Sequence, residues 1–260
     1  MNVKPKKSLG QHFLRNRGVA MRIAESVTHH RGYTDLLEIG PGTGALTTCL
    51  LEAHPNTDLQ VMDIDRDSIA FLKEADFIAN DHIIEADFLH ANLGEILGET
   101  YGVVGNFPYN ISTQILFRVF DERDHVPEVV GMFQKEVAMR IASGPGNKQY
   151  GILSVLLQLF YDIEYLFTVG ADEFIPPPKV ESGVIRLRRN DVTTVSCEIK
   201  DFVKVVKVGF NQRRKMLRGS LKSIVPEGKE IPEEIGSRRP EELSPEEFVA
   251  LATHLFPKKS

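Results

Sequence analysis

Four consecutive residues, Asn106-Phe107-Pro108-Tyr109, combine side chains suited to gripping a planar, amine-bearing base. An amide oxygen can accept a hydrogen bond from an amino group, a phenol offers a ring face, and proline fixes the backbone between them. A second stretch, Glu38-Ile39-Gly40-Pro41-Gly42-Thr43-Gly44, is rich in glycines that let the backbone turn tightly and approach a ligand. Asp63 lies 19 residues after Gly44, where an acid takes ribose hydroxyls in nucleotide-binding folds. Gly40 to Ala45 formally satisfies G-x-G-x-x-G/A, so a nicotinamide oxidoreductase is one reading. Asp87 suits an adenine amino group, a fixed role that the nicotinamide reading does not provide.

Regular elements must hold these residues in place. Apolar runs at 35–39, 58–63, 82–87, 101–105 and 128–133 read as strands, and the residues above fall at or just past their ends. Helical periodicity marks 19–27, 45–53, 66–75, 113–120 and 136–142. Strands alternating with helices at this spacing predict an α/β fold around a mostly parallel sheet. Gly144 to Asn147 breaks the chain, 152–160 is an apolar helix, and 163–169 and 184–188 are two closing strands, with an antiparallel pair as one option. Polar, β-branched residues near 190–198 mark a linker. Beyond it, 202–210, 215–224 and 245–255 have helical periodicity, and Ser244-Pro245-Glu246-Glu247 is a helix start with Ser as N-cap. The expected domains are 1–190, the larger α/β unit with its N-terminal arm, and 191–260, a small helical one.

Composition narrows the classes. With 42% hydrophobic and 26% charged residues the chain reads as an ordinary globular protein. No apolar run reaches the ~18 residues of a membrane span, and no apolar segment follows the basic N-terminus as a secretory signal requires. Cys49 and Cys197 stand alone, which fits a reducing cytoplasm rather than a disulfide or zinc framework. The eight histidines show no ligand spacing, so no metal enzyme is expected. A monomer is the default. Net charge is −5, yet residues 1–22 carry six basic residues and no acid, and 200–222 carry eight against Asp201. Two basic segments on an acidic body are a candidate footprint for phosphates.

Combined, the motifs are specific. Glu-x-Gly-x-Gly-x-Gly with acids closing the second and third strands looks like the S-adenosylmethionine methyltransferases. Asn106-Phe107-Pro108-Tyr109 resembles the (Asn/Asp)-x-Pro-Tyr signature of amino-directed adenine methyltransferases, and its extension Asn110-Ile111-Ser112-Thr113 resembles the ribosomal RNA adenine N6,N6-dimethyltransferases. Leu9-Gly10-Gln11-His12-Phe13-Leu14, Gln134-Lys135-Glu136-Val137 and Phe174-Ile175-Pro176-Pro177-Pro178-Lys179-Val180 fit the same family. The Pro-rich stretch and the basic segment around Arg213 favour its small-subunit branch over the large-subunit, macrolide-resistance branch. A non-catalytic assembly factor on the same fold is the remaining alternative.

The resemblance implies a Rossmann-like domain with a seven-stranded sheet, S-adenosylmethionine as cofactor and small-subunit rRNA, in a ribosome precursor, as partner. It places His12, Leu14, Gly40, Gly42, Asp63, Asp87 and Asn106 against the cofactor. His12 stands where many members have Asn, and Asp63 where Glu is commoner, so the ribose contact is one methylene shorter. It implies that a flipped adenine meets the Asn106 side-chain oxygen and the Phe107 carbonyl, with Pro108 holding the turn and Tyr109 and Phe174 stacking on the base. Arg213, Arg214 and Lys215, with Arg218 and Lys222 following at three- and four-residue steps, are expected on one basic helical face that contacts rRNA.

Overall fold

The computed structural model describes residues 3–258. In chain order the elements are β1 (Phe13–Leu14), α1 (Arg17–Glu25), β2 (Asp35–Ile39), α2 (Ala45–Ala53), β3 (Asp58–Asp63), α3 (Arg66–Ala75), β4 (Ile83–Glu85), α4 (Leu93–Ile96), β5 (Tyr101–Asn106), α5 (Ser112–Asp121), β6 (Glu128–Gln134) and α6 (Lys135–Ala142). There follow α7 (Ile152–Gln158), β7 (Tyr161–Val169), β8 (Phe174–Ile175), β9 (Ser182–Arg189), α8 (Ile199–Asn211), α9 (Leu217–Ser220), α10 (Glu233–Gly236) and α11 (Pro245–Leu255).

Seven strands form one sheet in the order β4-β3-β2-β5-β6-β9-β7. The pairs from β4 through β6 are parallel, and β9 runs antiparallel to β6. Leu36 to Ile39 and Tyr101 to Gly105 are buried residue after residue, the pattern of strands covered on both faces. The expected α/β architecture and its mostly parallel seven-stranded sheet are therefore present. The chain leaves β2 toward β3 and β4, then returns to β5 on the other side of β2. That reversal opens a crevice beyond the carboxyl ends of β2 and β5, where ligands of such sheets bind. Both chemistry-bearing stretches end there.

The chain divides into two compact units, residues 1–138 with 162–189 and residues 139–161 with 190–260. This differs from the single break expected near 190. The second unit includes α7, whose Val155, Leu156 and Leu157 are buried, together with Phe202, Val205 and Val206 of α8 and Phe248, Leu251 and Leu255 of α11. Within it the Phe210 ring lies 6.3 Å from Tyr150 and 6.0 Å from Phe248. Gln158 ties the start of this segment down by donating to the Ile141 and Ser143 carbonyls, each at 2.8 Å. The Ser244–Glu247 capping box at α11 forms as its sequence predicts.

The helix expected over 215–224 is corrected to the four residues of α9. Chain reversal at Gln212, whose carbonyl accepts from Lys215 N at 2.8 Å, puts Arg213 to Lys215 in a turn, and Met216 is extended. Gly219 and Ser220 are weak helix formers and give the turn nothing to propagate into. The basic residues therefore lie on a turn and one helical turn rather than along a helix face.

Candidate active site

A cavity of ≈ 780 Å³, mouth included, opens at the carboxyl ends of β2, β3 and β5. Gly40, Gly42, Asp63, Asp87, Asn106, Phe107, Pro108 and Tyr109 line it, and Leu9 to Phe13 of the N-terminal arm form another wall. Among the expected cofactor-contact residues, His12 and the five at strand ends thus meet in one place. Leu14 does not reach this cavity. It is buried in the core and lines a smaller neighbouring one with Glu38, Thr43 and Asn106.

The glycine turn is a cradle that side chains would fill. Gly40, Gly42 and Gly44 all have left-handed φ, at +69°, +56° and +78°. A Cβ on Gly42 would come within 2.9 Å of the Phe13 ring. Gly42→Ala is therefore expected to lose ~1–3 kcal/mol of stability from backbone strain and overpacking. It should also push Phe13 out of the cavity wall, which urea unfolding and the arm's proteolytic sensitivity would register.

Asn106 closes β5 with its side chain already committed at one end. Its Nδ2 donates to the His12 carbonyl at 2.8 Å, so Oδ1 is the atom left to accept from a ligand amine. Phe107 is 1% exposed, its ring wedged over Gly105 and Gly131 and 5.1 Å from Phe133. That wedge, with Pro108, fixes the backbone on which Asn106 and Tyr109 sit. The Tyr109 hydroxyl shares a hydrogen bond with buried Ser182 at 2.5 Å, and burial raises its pKa despite that bond. His12 stands 5.5 Å from the Tyr109 ring, its Nδ1 bonded to the Pro176 carbonyl at 2.8 Å. A carbonyl only accepts, so Nδ1 carries the proton.

Phe174 is corrected. It is 2% exposed, packed among Leu14, Val169 and Val184, and is not a wall of either cavity. Pairing of β8 with β1 turns the Phe174 ring inward, while its neighbour Ile175 is 54% exposed. Alternation along a strand sends only one of the two to each side.

The acids differ in setting. Asp63 is buried, which raises its pKa, and its Oδ1 accepts from Asp65 N at 2.9 Å. Asp87 accepts from Leu89 N at 3.0 Å and pairs with His90 at 2.8 Å, so both oxygens already serve its own loop. Glu38 is 1% exposed, and Thr47 Oγ1 donates to it at 2.6 Å. Motif reading missed three participants, Lys6, Gln11 and Asp65, which meet across 54–59 residues of sequence. The only local sign was Asp65 itself, an N-cap of α3 whose side chain accepts from Asp67 N. Ser182 was also missed.

In the second unit Arg214, Lys215, Arg218 and Lys222 are exposed. Arg213 lies 3.7 Å from Glu241 and Arg218 3.6 Å from Glu233. Arg214, Lys215 and Lys222 have no ion-pair partner among the described residues. No helix among those residues is long and apolar enough to cross a membrane.

Comparison with known proteins bears on this geometry. The family model described as ribosomal RNA adenine dimethylase matches residues 2–252. The ribosomal RNA small subunit methyltransferase A of Porphyromonas gingivalis is 54% identical over 254 residues, covering 96% of this chain and 97% of the relative. That of Cytophaga hutchinsonii is 53% identical, covering 98% and 99%. Among solved structures, a dimethyladenosine transferase from Plasmodium falciparum superposes with a TM-score of 0.75 at 23% identity, covering 92% of this chain and 96% of the other. The 23S rRNA methyltransferase ErmE gives 0.68 at 25% identity, covering 94% and 99%.

Proposed function

The chain belongs to the ribosomal RNA adenine dimethylase family, and from that premise we propose that it dimethylates the N6 amino groups of two adjacent adenosines near the 3′ end of small-subunit rRNA. S-adenosylmethionine, when bound, supplies an electrophilic methyl on a sulfonium. The residues present suit it: a glycine cradle that a Cβ would fill, acids closing β3 and following β4, and a smaller cavity beside buried Glu38. Asp63 would hold the ribose hydroxyls, Asp87 the adenine amine, and His12, Gly40 and Gly42 the walls around them.

The observation that carries the reading is the Asn106 carboxamide, oriented by the His12 carbonyl and opening its oxygen to the cavity that Asp63 and Asp87 share. An adenine N6 is a poor nucleophile because its lone pair is delocalised into the ring. Two acceptors on its N–H bonds, Asn106 Oδ1 and the Phe107 carbonyl, favour a pyramidal nitrogen with a localised pair. The base must leave its stack to get there, and Tyr109, held by Ser182, offers the face it rests on. No strong base is needed, since the alkylated nitrogen is itself acidic. Positioning and electrostatics do the catalysis.

Tritiated S-adenosylmethionine with unmethylated small subunits, large subunits and naked rRNA tests this. Label in N6,N6-dimethyladenosine of the small subunit is expected. Transfer to the large subunit alone would overturn the substrate, and no label in adenine would overturn the activity.

The exposed basic residues of the second unit would supply affinity and register while rRNA shape carries selectivity. Replacing Arg214, Lys215 and Lys222 with Ala should weaken binding to small subunits and flatten its log–log salt slope by about 2–3. Adding Arg213→Ala should flatten it by less than one further unit, because Glu241 already engages that side chain. Filter binding from low to high salt reads both.

A further inference from the structure

The N-terminal arm forms a wall of the main cavity through Leu9 to Phe13, yet little regular structure holds it. It has one turn of 3-10 helix at Lys7–Leu9 and the two-residue pairing of β1 with β8. Between them the arm is tied down by side chains that converge on a single carboxylate. Lys6 Nζ donates to Asp65 Oδ1 at 2.5 Å and Gln11 Nε2 donates to Asp65 Oδ2 at 2.8 Å. The Gln11 side-chain oxygen in turn accepts from Lys6 N at 2.8 Å, which closes the ring of contacts. Lys6 also reaches Asp67 at 2.7 Å.

The two ends of this contact differ in a way that suits a latch. The Asp65 side chain is fully buried, whereas Lys6 keeps 39% of its exposure. A buried carboxylate needs its partners, so the closed state is strongly preferred. A half-exposed ammonium can still leave to water, so the state is not locked. Burial works to raise the Asp65 pKa, but the Lys6 and Gln11 bonds outweigh it and the net shift is downward. The same residue's backbone N–H holds Asp63 Oδ1 at 2.9 Å. One short loop therefore anchors both the arm and the buried acid at the end of β3. The far end of the arm stays fixed through the β1–β8 pairing and the His12 contact with Pro176.

We propose that Lys6, Gln11 and Asp65 form a clasp that holds residues 6–11 closed over the cavity, and that its opening is the step by which nucleoside ligands enter and leave. The inference rests on the cofactor reading above. It makes Lys6 and Gln11 positioning residues that act through the arm. Opening swings the arm N-terminal to His12, lifts buried Val3 with it, exposes Asp65 to water and uncovers the cavity without disturbing the sheet.

The probe is S-adenosylhomocysteine, with its release rate followed by rapid filtration and amide exchange followed over residues 7–11 of the full chain. Lys6→Met with Gln11→Met should speed release at least tenfold and exchange of the arm by a similar factor. Thermal stability should fall as well, since buried Asp65 loses both partners, so the clasp is read from release and arm exchange together. Lys6→Arg, which keeps the ion pair, should restore slow release. Raising salt should speed release from the wild type and have little effect on the double variant. If the wild type binds S-adenosylhomocysteine and the double variant releases it at the wild-type rate, the clasp is wrong. If the wild type does not bind it at all, the cofactor reading is what fails. Faster release with unchanged arm exchange would also overturn the clasp, because the effect would then not run through the arm.

Discussion

Asn106→Ala is expected to lower methyl transfer to unmethylated small subunits by about 10²–10³-fold, the usual effect of deleting one preorganised polar group at a reacting centre. The drop should fall on kcat more than on KM, since the lost contact is strongest as the nitrogen becomes pyramidal. Asn106→Asp is the more informative change. It keeps an acceptor for the amine but replaces the N–H that donates to the His12 carbonyl with an oxygen that repels it. The carboxylate must turn from its position, and activity should fall nearly as far as in the alanine variant. Equilibrium dialysis with S-adenosylhomocysteine should show a change of less than about tenfold for Asn106→Ala, the scale of one neutral hydrogen bond. Asn106→Asp within threefold of wild-type turnover would show that the His12 contact does not set the amide's orientation.

Glu38→Gln should make the protein's stability less sensitive to alkali. Burial pushes the Glu38 pKa up to about 8 from 4.5; the Thr47 hydrogen bond opposes the shift and the charge of Asp63 adds to it. Between those values the folded chain holds a proton that the unfolded chain has lost. Stability from this group is thus full below the unfolded pKa and drains away as pH rises through the folded one. At ~1.4 kcal/mol per unit, a window of about three units gives on the order of 4 kcal/mol. Glutamine keeps an acceptor for Thr47 and has nothing to titrate. Urea unfolding at pH 5.5 and 8.5 should show the wild type losing several kcal/mol more than the variant. Parallel losses would assign the alkaline sensitivity to other groups.

The sheet was legible because β2 to β6 and their helices each carry a clean local signal, and each glycine, acid or amide of the site sits at a strand end that the pattern marks. Asn106 could be read as an amine acceptor from its neighbours alone. What sequence could not give are contacts closed over long separations. Lys6 and Gln11 meet Asp65 only because the arm folds back over β3, and nothing in Ser182 announces the phenol it steadies. Phe174 looked like a stacking ring because aromatic type says nothing of which side of a two-residue strand it takes. The basic run after Gln212 had helical spacing, but spacing is blind to the turn that precedes it. The domain boundary missed 139–161 because apolar periodicity shows that a helix is buried, not against which part of the chain.

That last segment also has a kinetic meaning. Residues 139–161 and 190–260 make one compact unit, so its first part is synthesised well before its last helix, which ends at Leu255. At roughly 5–20 residues per second, the interval between Gln158 and Leu255 is about 5–20 s. Until α8 and then α11 follow, Val155, Leu156 and Leu157 lack the helices that later bury them. The β-rich unit meanwhile needs nothing beyond Arg189 to complete its last strand. During synthesis the chain thus carries a finished sheet and an incompletely covered apolar helix at once, and the helical unit can close only when α11 arrives.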